Sequence, residues 1–316
     1  MKTFVSELVV GASVDSLFSV KYKRGIDLTK NGKYYFSFGI ADKTGEIEVT
    51  YWGGANKVTV QAIHDSFEEG NVINVVGRVD SYQDRKKISV NEGLGSVSVA
   101  TTFNLSDFLP ESTRNIDDMF SELLTMVDAV ANPGLKALLN AFFRDETFAE
   151  KFKHAPGAMY LHHAWIGGLL EHSLAVAKTA NCAASNYEVD QDLLTAGALL
   201  HDIGKLKELE VSTNIKVGEE GMLLGHITLG CEMVRRKAEE MGLDPHILLK
   251  LSHMIISHHG KQEYGSSKSP MFVESILVYY ADEMDAKASQ FERIKRDTNS
   301  EDFRVYDKYW GEIYLK

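Results

Sequence analysis

Cysteine is scarce in this chain: its 316 residues include two, Cys182 and Cys231. They form no CxxC pair and imply no disulfide framework. Both fall in helical patterns, where buried structural thiols are expected. Long apolar runs are missing as well. The longest are broken by charges well short of the ~20 residues that a bilayer requires, which excludes a membrane-spanning helix. The start, Met1-Lys2-Thr3-Phe4-Val5, faintly resembles a signal peptide, but Ser6-Glu7 interrupts any apolar stretch. It reads instead as the first strand of a cytoplasmic protein. A surplus of positive charge is lacking too. The net charge is −11, which argues against broad, nonspecific adhesion to nucleic acid. No internal repeat or low-complexity run appears.

What is present has a globular composition, with 44% hydrophobic and 25% charged residues, so neither disorder nor a fibre is suggested. The length is large for one compact domain, and two are expected. Charge divides unevenly between the halves. Residues 1–110 carry 12 Lys+Arg against 13 Asp+Glu, so nearly all the acidic excess lies in the remainder. An acidic back half can still hydrolyse a polyanion if metal cations dominate its site.

Residues 1–100 read as short strands with turn signals. Tyr34-Tyr35-Phe36-Ser37-Phe38-Gly39-Ile40 and Glu46-Ile47-Glu48-Val49-Thr50-Tyr51-Trp52 are joined by Asp42-Lys43-Thr44-Gly45, which predicts a hairpin. Asn71–Val79 and Lys87–Val90 flank a polar loop, Gln83-Asp84-Arg85-Lys86. About five strands in this span suit a small barrel. The hairpin and the Gly70-Asn71-Val72-Ile73-Asn74-Val75-Val76-Gly77-Arg78-Val79 segment resemble an OB-fold of the nucleic-acid-binding kind. Tyr35, Trp52 and Tyr82 are then candidates for stacking bases, with Lys21, Lys23, Arg24, Arg85, Lys86 and Lys87 for meeting phosphates. Alternation sends half of each strand inward, so filling the barrel is the competing role for each aromatic.

Residues 101–115 hold Pro110 and several turn formers and read as a linker. From 116 to 316 the periodicity is helical. Helices are predicted over 116–130, 134–143, 167–186, 190–201, 227–241, 247–257 and 273–287, punctuated by Asn132-Pro133-Gly134 and Gly242-Leu243-Asp244-Pro245. The fold class is thus a five-stranded β-barrel followed by an all-α domain.

Ten of the eleven histidines lie in the helical half, most of them in short motifs. These are Leu161-His162-His163-Ala164, Glu171-His172-Ser173, His201-Asp202, Gly225-His226-Ile227, Ser257-His258-His259-Gly260 and the acidic Ala281-Asp282-Glu283-Met284-Asp285. Imidazole and carboxylate together suit Mn²⁺, Fe²⁺, Co²⁺, Ni²⁺ or Zn²⁺. His201-Asp202 is the informative pair. Neighbours on a helix point ~100° apart, and an unpaired aspartate beside Ala196-Gly197-Ala198-Leu199-Leu200 is costly to bury. A metal between helices resolves both difficulties. Gly204 is expected to end the helix and turn Lys205 back toward the site. An ordinary exposed His-Asp at a helix end is the alternative, but it leaves the other clusters unexplained.

His172…His201-Asp202…Asp282 resembles the H…HD…D signature of the HD superfamily of phosphohydrolases, and His226 and His258 match the extra histidines of its dinuclear members. The resemblance implies one ion on His172, His201, Asp202 and Asp282. It implies a second on His226, His258 and His259, with Asp202 bridging. A metal-activated hydroxide would attack phosphorus, and Lys205 would offset charge on the scissile phosphate. Ala155-Pro156-Gly157-Ala158, the run His162–His172, Leu199–Lys205 and Ala281–Lys287 resemble the YhaM-type 3′→5′ exoribonucleases over almost the whole chain. Met159 departs from that pattern, where a basic residue is expected. The resemblance implies two divalent ions, Mn²⁺ favoured, and a single-stranded nucleic acid as substrate, RNA ahead of DNA. His162 or His163 is a candidate for contacting the substrate phosphate or for capping, against a structural role. Asp285, one turn beyond Asp282, is a candidate for orienting a ligand, against a solvated acidic helix end for it and Glu283. Homo-oligomerisation is compatible with the sequence. An HD phosphohydrolase of small nucleotides, with the barrel serving regulation or assembly, is the competing function. A binding protein with a structural metal fits poorly, because such a site closes with about four ligands.

Overall fold

Period-2 burial and cross-strand pairing organise the first hundred residues in the computed structural model. The described residues are 2–83, 85–159, 163–298 and 302–316, residue 297 by its backbone. Strands β1 (Ser13–Lys23), β2 (Asp27–Leu28), β3 (Tyr34–Asp42) and β4 (Gly45–Trp52) precede helix α1 (Lys57–His64). Strands β5 (Val72–Tyr82), β6 (Arg85–Asn91) and β7 (Ser96–Val99) follow it. The order β1-β3-β4-β6-β5 closes through pairing of β5 with β1, making a five-stranded barrel. β4 and β6 run parallel, and the other barrel pairs are antiparallel. This is the expected OB-fold order. Phe18, Phe36, Phe38, Ile73, Val75 and Ile88 fill its interior, and α1 adds Val60.

Two local expectations change. No strand forms over Lys2–Val5. Asp42 Oδ2 accepts the Val5 N–H at 2.8 Å and Glu7 Oε2 accepts the Phe4 N–H at 2.8 Å, and Val5–Glu7 closes as a 3-10 turn. Arg85 and Lys86, expected in a loop, extend β6 because Tyr82 pairs directly with Arg85.

Helices α2 (Ile116–Ala129), α3 (Pro133–Phe143), α4 (Glu146–His154), α5 (Gly168–Ala184) and α6 (Gln191–Leu200) build the first part of the second unit. They are followed by α7 (Lys205–Glu208), α8 (Glu219–Glu240), α9 (Pro245–Ser257) and α10 (Val273–Asp297). Asn115, Asn132, Asp145, Asp190 and Asp244 start five of them by accepting backbone N–H bonds, and Pro133 and Pro245 sit in the first turn. Leu193 to Leu200 are all buried, so α6 is the core helix. α5, α9 and α10 pack on it. Helix α4 and two hairpins, β8 (Leu209–Val211) with β9 (Ile215–Val217) and β10 (Arg304–Asp307) with β11 (Gly311–Tyr314), carried no clear sequence signal. Cys182 is exposed and Cys231 half-buried, so neither is the fully buried thiol expected. The compact units are Met1–Pro110 with Ser212–Asn214, and Glu111–Val211 with Ile215–Lys316. Among the described residues no helix is long and apolar enough to cross a membrane.

Candidate active site

Five helices deliver histidine and aspartate side chains to one buried point in the helical unit. α5 carries His172. The turn that ends α6 carries His201 and Asp202. α8 carries His226, the C-cap of α9 is His258, and α10 carries Asp282 and Asp285 one turn apart on one face. Gly204 does its work differently from expectation. It adopts right-handed backbone, and a Cβ there would meet the His226 carbonyl at 1.9 Å and the Gly230 nitrogen at 2.5 Å. Its role is to let α8 approach the His-Asp turn. Gly225, at φ +70°, breaks α8 and aims His226 inward.

The ligand atoms form two overlapping sets. His172 Nε2 lies 3.2 Å from His201 Nε2, 3.3 Å from Asp202 Oδ2 and 3.1 Å from Asp282 Oδ1. His201 Nε2 lies 3.3 Å from Asp202 Oδ2 and 3.9 Å from Asp282 Oδ1. The other oxygen, Asp202 Oδ1, is 3.5 Å from both His226 Nε2 and His258 Nε2. His259 joins that second group, with Nε2 4.0 Å from Asp282 Oδ2. Ligands ~2.1 Å from one ion stand ~3.0 Å apart at octahedral angles and ~3.4 Å apart at tetrahedral angles. The four spacings of 3.1–3.3 Å in the first set match that range, and the two of 3.5 Å in the second stand just beyond it.

The second ring nitrogens fix the tautomers. His201 Nδ1 donates to the Ala198 carbonyl, His258 Nδ1 to Ile255 and His259 Nδ1 to Tyr264, each at 2.7 Å. Asp285 Oδ2 takes His172 Nδ1 at 2.7 Å, and Glu208 Oε1 takes His226 Nδ1 at 3.0 Å. A carbonyl can only accept, so the Nε2 lone pairs turn toward the centre. Asp202 Oδ1, His226 Nε2 and His258 Nε2 are buried with no hydrogen-bond partner. Three converging acceptors without a donor are what a bound cation explains. Four carboxylates, Asp202, Asp282, Asp285 and Glu208, gather at the centre, with the Lys205 ammonium beside Asp202. The residues fit a divalent metal.

The same surroundings set the proton affinities. Burial would raise the Asp202 carboxyl, but Lys205, His201 and His172 hold it well below the ordinary carboxylate range. Burial also opposes the low values of Asp282 and Asp285, and neighbouring histidines overcome it. For His172, burial is outweighed by Asp202, Asp282 and Asp285, which lift it well above the usual imidazole value. Burial, with His258 beside it, brings His259 down to about 4.

Other expected residues fall in varied places. Lys205 is buried with Nζ 2.5 Å from Asp202 Oδ2. His163 does not stand open to substrate. It is 3% exposed and its Nε2 meets Asp285 Oδ2 at 2.8 Å, because a left-handed backbone turns the ring inward. His162 lies outside the described residues. Asp285 Oδ2 meets both His172 Nδ1 and His163 Nε2 rather than standing at a solvated helix end. Glu208 was missed: it accepts both the backbone N–H and Nδ1 of His226 at 3.0 Å, and no motif marks it.

On the barrel, Tyr35 and Trp52 stack at 5.2 Å across β3 and β4, with outward, half-buried rings. Lys87 lies over Trp52 and Tyr82, and Arg24 over Tyr22. Tyr22, Arg24, Tyr82, Arg85, Lys86 and Lys87 line one groove with Glu46 and Glu48. Lys23 departs from the expected set. Its ammonium is tied to the His64 and Phe67 carbonyls at 2.7 and 2.5 Å, which pins α1 to the barrel. Lys86 Nζ bonds the Leu8 carbonyl at 2.7 Å.

Residues 169–287 match the HD domain family and residues 19–93 the OB-fold nucleic acid binding domain family. The chain is 32% identical over 286 residues to the 3'-5' exoribonuclease YhaM of Bacillus subtilis, covering 90% of this chain and 88% of that protein. The chain belongs to the YhaM family. The YhaM of Geobacillus sp. is 29% identical over 301 residues, with 94% and 90% coverage, and that of Bacillus velezensis is 31% identical over 286 residues, with 90% and 88%. Membership of the YhaM family together with the HD domain makes the chain a metal-dependent hydrolase of the HD superfamily.

Proposed function

We propose that the chain is a 3′→5′ exonuclease on single-stranded RNA with two divalent ions, Mn²⁺ favoured, at the histidine–aspartate centre. The observation that carries this reading is Asp202, whose two oxygens face two separate groups of Nε2 atoms. His172, His201, Asp202 and Asp282 would hold one ion. Asp202, His226, His258 and His259 would hold the other. Such ions supply the Lewis acidity that makes water nucleophilic at neutral pH and offsets charge on a phosphodiester. Lys205 keeps the Asp202 carboxylate ionised and oriented, and it is the ammonium available to the scissile phosphate. The backbone carbonyls of Ala198, Ile255 and Tyr264 keep three imidazoles in the ligating tautomer. The YhaM relatives, named as 3'-5' exoribonucleases, support the substrate and polarity. The Tyr35–Trp52 stack with Lys87 over Trp52, and the groove that Arg24, Arg85 and Lys87 line, support single-strand binding by the barrel.

Metal analysis of the purified chain, combined with digestion of an RNA strand labelled at either end, tests the reading. More than one transition ion per chain is expected. The 5′-labelled strand should shorten as a ladder while the 3′ label leaves at once as a mononucleotide. Turnover of free nucleotides alone would overturn the exonuclease reading. A firm stoichiometry of one would remove His226, His258 and His259 from it.

A further inference from the structure

We propose that His163 is a positioning residue for the metal centre, acting on the ligand His172 through Asp285. The inference rests on the reading of His172 as a ligand. Asp285 Oδ2 receives two imidazole nitrogens from different parts of the fold, His172 Nδ1 at 2.7 Å and His163 Nε2 at 2.8 Å. One N–H leaves a carboxylate oxygen free to swing, whereas two from separate elements fix its position. With Asp285 fixed, the plane of the His172 ring is fixed, and so is the direction of its Nε2 lone pair.

His163 is itself held firmly. Its φ of +51° is rare outside glycine and persists where the surroundings over-determine it. The Gly157 N–H donates to its carbonyl at 2.8 Å, and the Trp165 ring lies 5.0 Å away, centroid to centroid. Trp165 Nε1–H is in turn held by Glu171 Oε2 at 2.9 Å. The described part of the segment ahead of α5 thus reaches the metal centre through the His163 side chain. A residue that merely packed this segment against α5 would not need its Nε2 on the carboxylate that orients a ligand.

Two substitutions separate the side chain from the backbone. His163→Asn suits left-handed backbone but is too short to reach Asp285. His163→Gln carries an amide N–H to about the position of Nε2. Mn²⁺ binding to the full chain is measured by calorimetry, and the absorption spectrum of bound Co²⁺ reports ligand geometry. His163→Asn should weaken Mn²⁺ by about 10-fold or more, the lower end of what losing a ligand's partner does. It should also shift the Co²⁺ spectrum, and His163→Gln should recover most of both. Asp285→Asn should weaken Mn²⁺ at least as much, and adding His163→Asn to it should change little more, since the two act in series. Parental Mn²⁺ affinity and Co²⁺ spectrum in His163→Asn would overturn the proposal, as would additive losses in the double variant or no recovery in His163→Gln. If the parent chain binds no Mn²⁺, the site reading itself falls, a result separable from these.

Discussion

Proton binding at single residues gives the metal-free protein a distinctive pH response. His259 titrates near pH 4 when folded against an ordinary 6.5, so the unfolded chain takes up its proton first as pH falls. Its contribution is present above pH 6.5 and is lost down to about 4. Burial lowers His258 in the same direction. His172 is raised, so its contribution is full below the ordinary imidazole value and is lost as pH climbs through its folded value. The two slopes meet, and the melting temperature of the chelated protein should peak at about pH 6–7. Melting curves in a chelator across that range check this, and His259→Asn should flatten the acid limb; an unchanged limb would assign it to another group. Added metal should also bind more weakly as pH falls, because it requires the neutral imidazole.

At the scale of elements, the centre depends on how closely α8 can approach the His201-Asp202 turn. Gly204→Ala would put a methyl group 1.9 Å from the His226 carbonyl, a backbone atom that cannot rotate away. The helix must then shift and carry His226 with it. The expected outcome is a loss of ~1–3 kcal/mol in stability together with reduced metal content, measured by denaturant melts and metal analysis. Full metal occupancy in Gly204→Ala would show that the approach is not needed. The motif containing this glycine was legible in the sequence, but its reason was not. A glycine after a helix suggests a left-handed cap, and the contact that excludes a side chain comes from a segment more than twenty residues away. The helices were legible because α2, α3, α6 and α9 begin at Asn or Asp caps and bury periodic apolar residues. α4, with three lysine and histidine residues in its last turn and few apolar positions, gave little pattern to read.

For the whole molecule, two units have separate cores, and the proposed function assigns binding to the barrel and chemistry to the helices. Trp52→Ala removes half of the Tyr35–Trp52 stack on the barrel. It should weaken binding to a single-stranded oligonucleotide by ~1–3 kcal/mol, the range for one stacked base. Hydrolysis of a small phosphodiester such as bis(p-nitrophenyl) phosphate should stay at the parent rate. Binding titrations and steady-state rates on the two substrates decide it, and equal losses on both would count against the division. The acidic balance of the helical unit is consistent with this arrangement, since carboxylates at the centre attract the cations that the chemistry requires.

The sequence by itself determined the barrel-then-helices order and the residues that form the centre. Strand alternation, helix caps and the histidine–aspartate motifs are local, and each can be read from its neighbours in the chain. Tertiary structure alone decided which oxygen of Asp202 faces which histidines, that Glu208 orients His226, and that His163 turns inward to Asp285. It also decided that the Lys23 ammonium is tied to the His64 and Phe67 carbonyls. These are contacts between residues 18 to 122 positions apart, set by how helices and strands pack. Side-chain direction at such distances follows from the packed backbone, which no local pattern encodes.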